Sequence, residues 1–151
     1  MEEHRLIGFR HIGIIVNKME ESIRFYRDLL GFTVAQDWTE DSAYLNTVLG
    51  TTGERVRMAK LRGPDGILVE LLRYEKNRSG ELDLPFWHAG VCHMALTVAD
   101  VGATWKKLSA AGVPFVSPPQ ESTEGTAKVC FCTDPNGIRV ELVEIKAAAP
   151  R

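Results

Sequence analysis

Residues 6–16 are mostly apolar and β-branched, and just beyond them the apolar positions switch to a period near 3.6. The first pattern predicts a strand. In NKMEESIRFYRDLLGF the residues Met19, Ile23, Tyr26 and Leu30 recur at helical spacing, Phe25 and Leu29 widen the apolar face, and Gly31 supplies the stop. Residues 32–38 predict a second strand and SAYLNTVLGTTG a short helix or loop. RVRMAKL and ILVELLR predict two more strands, joined by the turn R-G-P-D-G. The order is strand, helix, strand, strand, strand.

Residues 74–90 show no clear period and carry Lys, Asn, Arg, Ser, Gly and Pro, so they predict a connector with one turn of helix near 85–87. The same order then begins again. VCHMALTV predicts a strand. VADVGATWKKLSAAGV predicts a helix with Asp100 near its start, a stripe of Val101, Trp105 and Leu108, and Gly112 as its stop. PFVSPP and AKVCFCT predict strands, and D-P-N-G turns the chain into a last one, IRVELVEI. The tail AAAPR is expected to fray.

The chain is therefore a repeat, with one module at 5–73, a connector at 74–90 and a second module at 91–146. The registers coincide. His11 precedes Gly31 by 20 residues and His93 precedes Gly112 by 19, while Gly66 and Gly137 each precede a glutamate, Glu70 and Glu141, by four. Each module thus offers a histidine in its first strand and a glutamate in its last. Side chains alternate along a strand, so Arg139, Glu141 and Val143 oppose Ile138, Val140 and Leu142, and Glu70 opposes Val69 and Leu71. The apolar faces take the helices, which leaves His11, Glu70, His93 and Glu141 on the faces turned away from them.

A carboxylate in a buried strand is costly unless it neutralises, pairs or binds a metal. Imidazole and carboxylate together suit a first-row divalent ion, and two carboxylates balance its charge. The alternative is that the glutamates pair with Arg57 or Arg139 and the histidines are ordinary strand residues. Occurrence of the pattern in both modules favours the metal. His4 and His88 have no counterpart in the repeat and receive no role.

Composition narrows the partners. The 151 residues are 44% hydrophobic and 25% charged with a net charge of −2, so there is no basic stripe for nucleic acid. No apolar run is long enough to span a bilayer, and MEEHRLIGFR lacks the apolar centre of a signal peptide, which predicts a cytoplasmic protein. Cys92, Cys130 and Cys132 show no C-x-x-C spacing and read as small buried apolar residues.

FRHIGIIVNKMEESIRFYRDLLGF, GILVELL, VCHMALTVADV and DPNGIRVELVE resemble the vicinal oxygen chelate superfamily, which includes glyoxalase I, methylmalonyl-CoA epimerase, extradiol dioxygenases and the fosfomycin and bleomycin resistance proteins. The resemblance implies an α+β fold of two βαβββ modules placed edge to edge as an open, incomplete barrel around a metal. It also implies that His11, Glu70, His93 and Glu141 are the ligands of a divalent ion (Zn, Ni, Co, Mn or Fe). Four ligands leave two places on an octahedral ion, enough for two adjacent oxygens of a small-molecule substrate. Iron dioxygenases of the superfamily use three ligands, fosfomycin-type transferases likewise, and the metal-free antibiotic-binding members lack the set.

The resemblance is closest to glyoxalase I and methylmalonyl-CoA epimerase, and implies a lyase or isomerase that moves a proton next to a carbonyl through an enediolate, with Glu141 or Glu70 as the base. A positioned base contributes about 10² to 10⁴-fold and the metal would supply electrophilic stabilisation. Epimerases carry a further glutamate where this chain has Val56 and Arg57. The spacing from Glu70 to His93, 23 residues, resembles the epimerase connector, and no residues read as a glutathione site. Arg57 and Arg139 are candidates for binding an anionic substrate group. Family analogy implies a homodimer.

Overall fold

The computed structural model describes residue 6 and residues 8–80, 82–91 and 93–146. The chain divides into two units, Met1–Gly80 and Glu81–Arg151, and the division falls inside the segment expected to be a connector.

The first unit runs β1 (Ile12–Ile15), α1 (Met19–Arg24), a π-helical segment (Phe25–Leu29), β2 (Thr33–Glu40), α2 (Ala43–Leu49), β3 (Val56–Arg62) and β4 (Leu68–Tyr74). Its sheet has the order β1-β4-β3-β2, with β1 parallel to β4 and the other pairs antiparallel. The first strand is shorter than the apolar run 6–16 predicts. Its pairing opens with Ile12 beside Val69, one residue into β4, which itself starts at Leu68. Leu6 and Phe9 are exposed.

Helix α1 packs on β4; it buries Met19 and Ile23, and the π-helical segment after it buries Tyr26, as the periodicity predicts. It ends in a wider turn, where the Leu30 N–H donates to the Phe25 carbonyl five residues back. That widening lets the neighbours Phe25 and Tyr26 both be buried, their rings edge to face with centroids 5.0 Å apart. Val69 and Leu71 of β4 and Ala59 and Leu61 of β3 alternate with the opposite face of the sheet and are fully buried. On that opposite face α2, capped by the Ser42 hydroxyl accepting from the Leu45 N–H, sets Leu45 onto Val56 and Met58.

Glu54 is completely buried and fixes the start of β3 to the end of β4. Its carboxylate accepts from the backbone N–H groups of Arg55, Glu75, Lys76 and Asn77 and from the Asn77 side-chain amide at 2.6 Å. Burial is the largest single influence on this carboxyl and acts to raise its pKa, but the donors from Lys76, Asn77 and Arg55 together outweigh it and hold the pKa below the ordinary 4.5. A carboxyl depressed on folding contributes stability that is present above its unfolded pKa and lost as pH falls through the folded one. Glu54→Gln is therefore expected to lower the urea midpoint at neutral pH, and the gap to wild type is expected to shrink as pH drops below about 4.5; urea melts across that range check it.

The second unit runs β5 (Met94–Thr97), α3 (Val101–Ala110), β6 (Gln120–Glu121), β7 (Ala127–Thr133) and β8 (Arg139–Ile145), in sheet order β5-β8-β7-β6. Asp100 caps α3 by accepting from the Ala103 N–H at 2.8 Å, and Val101 and Leu108 bury against β7 and β8 while Trp105 is half-buried. The strand predicted for PFVSPP does not form. Phe115 makes one isolated bridge to Cys132 and a two-residue strand forms later, at Gln120–Glu121. Pro114, Pro118 and Pro119 have no N–H to give to a ladder.

Cys130 and Cys132 are buried on the helix-facing side of β7, and burial pushes their thiols up to about 11 and about 12, with Cys130 adding to the shift of Cys132. They are core residues. Cys92 lies outside the described residues. The fold is α+β; among the described residues there are three α-helices and two four-stranded sheets, neither of which closes on itself. Among the described residues no helix is long and apolar enough to cross a membrane.

Candidate functional site

In each unit a hairpin turn sets which residues face each other. The turn at 63–66 pairs Lys60 with Glu70, and the turn at 134–137 pairs Phe131 with Glu141. In the second turn the Asp134 carboxylate accepts from the N–H groups of Asn136 and Ile138, at 2.8 and 2.9 Å, and Gly137 sits at φ 86°. The first strand of each unit then lies parallel to the last, Gly13 beside Glu70 and Ala95 beside Glu141. His11 and His93 stand one residue ahead of these first strands, where each ring reaches the glutamate.

The result is the same contact twice. His11 Nε2 is 3.0 Å from Glu70 Oε2, and His93 Nε2 is 3.0 Å from Glu141 Oε2. The four residues expected from the sequence are thus brought together as pairs, one in each unit. Among the described residues no three His, Cys, Asp or Glu side chains gather into a group that could hold a metal ion. The pair geometry nevertheless suits one. A nitrogen and an oxygen each about 2.1 Å from an ion, and at right angles, lie roughly 3.0 Å apart. The same separation is also a close contact between an imidazole nitrogen and a carboxylate oxygen, which is how each pair stands in this structure.

The surroundings of the pairs differ. In the first unit Lys60 Nζ lies 3.5 Å from Glu70 Oε1 and 5.1 Å from the centroid of the Trp38 ring. His11 Nδ1 is buried without a hydrogen-bond partner, although a metal-ligating histidine normally donates its second N–H. In the second unit the His93 ring stands edge to face on Phe131, 5.2 Å between centroids, and Phe131 packs the same way on Phe86.

Arg139, two residues before Glu141 on the same strand face, lays its guanidinium 4.1 Å over the Phe86 ring. Arg57 is placed otherwise. It shares the face of Ala59 and Leu61, opposite to that of Lys60, and is bound to Asp37 through two hydrogen bonds and to Glu20. The hydrogen bonds Arg57 donates to Asp37 and Glu20 raise its pKa above the usual range, and Arg57 in turn holds both carboxyls below theirs. The structure does not bring Arg57 to the His11–Glu70 pair. His88 is exposed and contacts the Ala89 carbonyl.

Lys60, Trp38, Phe131 and Phe86 were not anticipated from the sequence. The signal for two of them is present: Lys60 and Glu70 lie equally far on either side of Asp65, and Phe131 and Glu141 equally far on either side of Asn136.

The family model "Glyoxalase/Bleomycin resistance protein/Dioxygenase superfamily" matches residues 8–142. The chain belongs to this superfamily. Among curated relatives of this glyoxalase-superfamily chain, a probable lactoylglutathione lyase of Vibrio cholerae is 27% identical over 156 residues, covering 98% of this chain and 96% of that protein. The lactoylglutathione lyase of Pseudomonas aeruginosa is 28% identical over 154 residues, covering 90% and 81%. A glyoxalase family protein from Bacillus cereus shares the fold with a TM-score of 0.88 at 21% identity, covering 97% of this chain and 99% of that one. A fosfomycin resistance protein from Listeria monocytogenes, complexed with Mn(II) and sulfate, shares it with a TM-score of 0.66 at 12% identity, covering 94% and 95%. The superfamily fold therefore serves more than one chemistry, and the residues of the site must carry the functional reading.

Proposed function

We propose that this chain is a divalent-metal-dependent lyase or isomerase of the glyoxalase I type, acting on a small 2-oxo or 2-hydroxycarbonyl compound with two adjacent oxygens. The observation that carries the reading is the His–Glu contact at 3.0 Å occurring once in each unit. Relatives named lactoylglutathione lyase over nearly the whole chain support it. His11, Glu70, His93 and Glu141 are proposed to act as one ligand set. A divalent ion held by them would supply Lewis-acid polarisation of a substrate carbonyl.

The chain's own part is proton transfer and positioning. A glutamate of the set accepts the proton from the carbon next to the carbonyl as that C–H bond breaks and its electron pair moves toward the carbonyl. It then returns the proton to the former carbonyl carbon while the hydroxyl on the first carbon gives its proton to the former carbonyl oxygen, so the carboxylate is regenerated and the molecule as a whole is neither oxidised nor reduced. Arg139, its guanidinium over the Phe86 ring, is proposed to meet an anionic substituent two positions along the strand from Glu141.

The positions where epimerases of the superfamily carry a further glutamate support the lyase over a two-base epimerase. Val56 is fully buried beneath α2, and Arg57 is committed to Glu20 and Asp37. The test is conversion in deuterated water. Metal-loaded protein is expected to introduce deuterium at the carbon next to the carbonyl of a 2-oxo or 2-hydroxycarbonyl substrate. Neither conversion nor exchange with any compound of this class would overturn the reading.

A further inference from the structure

The two units carry matching ligands but unlike neighbours. Across from the glutamate stands Lys60 in the first unit and Phe131 in the second; on the other side stands Gly13 in the first and Ala95 in the second. We propose that Lys60 competes with the bound ion for the Glu70 carboxylate, which makes Glu70 the exchangeable ligand of the set and Glu141 the fixed one. This rests on the metal reading above and deepens it.

The two oxygens of Glu70 already face two partners, His11 Nε2 at 3.0 Å and Lys60 Nζ at 3.5 Å. The Lys60 and Glu70 side chains are only 19% and 11% exposed, so solvent screens their attraction weakly. The ammonium also lies over the Trp38 ring, 5.1 Å from its centroid. A carboxylate that shares its charge with an ammonium offers less of it to a dication, and the ammonium itself repels the dication. Gly13 adds room: a Cβ there would meet only Leu72 Cδ1, at 3.4 Å, so the strand beside Glu70 presents no side chain to block its movement. Among the described residues Glu141 pairs with His93 and with no lysine or arginine, and Phe131 packs on the His93 ring. Lys60 is thus a positioning residue that acts through Glu70.

Metal affinity reads this directly, by titrating Zn²⁺ into chelator-stripped protein against a chromophoric competitor. Lys60→Met is expected to bind on the order of tenfold more tightly than wild type, and Lys60→Arg about as wild type. The gain is expected to shrink when Glu70 is already Gln, because the coupling runs through that carboxylate. Glu141→Gln is expected to lose more affinity than Glu70→Gln. If Lys60→Met does not fold, Lys60→Gln takes its place, with circular dichroism as the check. Wild type that binds zinc while Lys60→Met binds it equally, or a gain that persists undiminished in Glu70→Gln, overturns the competition and leaves the proposed function standing. Wild type that binds no zinc overturns both.

Discussion

Alanine at His93 is expected to weaken divalent-metal binding by more than about a hundredfold and to lower kcat/KM by a comparable factor. Removing a partner that merely orients a metal ligand typically costs about 10- to 100-fold, and His93 is proposed to be a ligand itself. Its loss would also leave Glu141 beside Phe131 without its 3.0 Å partner. The fold is expected to survive, because the His93 side chain is 34% exposed and the second unit's core lies on the opposite face of its sheet, at Cys130, Cys132, Val140 and Leu142. His88→Ala is the control. It removes an imidazole from the same unit that is hydrogen-bonded to the neighbouring Ala89 carbonyl, and is expected to leave both metal affinity and turnover unchanged.

Gly137→Ala is expected to be the most damaging small substitution in the second unit. Gly137 sits at φ 86°, and a Cβ there would lie 2.1 Å from the Leu82 carbonyl oxygen, which is backbone and cannot rotate away. The left-handed conformation costs a non-glycine residue about 1–2 kcal/mol and a forced overlap about 1–3 kcal/mol more. Relief of the clash would break the hydrogen bond from the Leu82 N–H to the Asn136 carbonyl, and with it the hold on the segment leading to Phe86 and Arg139. Gly66→Ala separates the two costs. Gly66 has nearly the same φ, 88°, but nothing within 4 Å of its Cβ position, so only the conformational penalty is expected. Urea unfolding of the two variants checks the difference.

The parts of this molecule legible in its sequence are those fixed locally. The alternation around Glu70 and Glu141, the turns at 63–66 and 134–137, and the Asp100 cap each follow from neighbours a few residues away, and the strands and helix they predict are present. The errors arise where a distant partner decides. Leu6 and Phe9 look like strand residues, but the pairing of β1 with β4 opens only at Ile12 and both are exposed. The run 114–119 is predicted as a strand, yet its prolines have no N–H to donate, and its pairing with β7 is limited to the bridge of Phe115 to Cys132 and the backbone hydrogen bonds beside it. Arg57 is a candidate for binding an anionic group on sequence alone, and the pairing it makes instead, to Glu20 on a helix 37 residues earlier, is a separation no local pattern encodes. Lys60 is the reverse case, since the hairpin register that opposes it to Glu70 was available from the turn alone.

The central claim, that the two His–Glu pairs are metal ligands, meets its most direct test in calorimetric titration of purified, chelator-stripped protein with Ni²⁺ or Zn²⁺. One ion per chain, bound at micromolar concentration or below and lost when His11 or His93 is changed to alanine, is the predicted result. Wild-type protein that takes up neither ion at micromolar concentration, or that binds unchanged without those histidines, would contradict it.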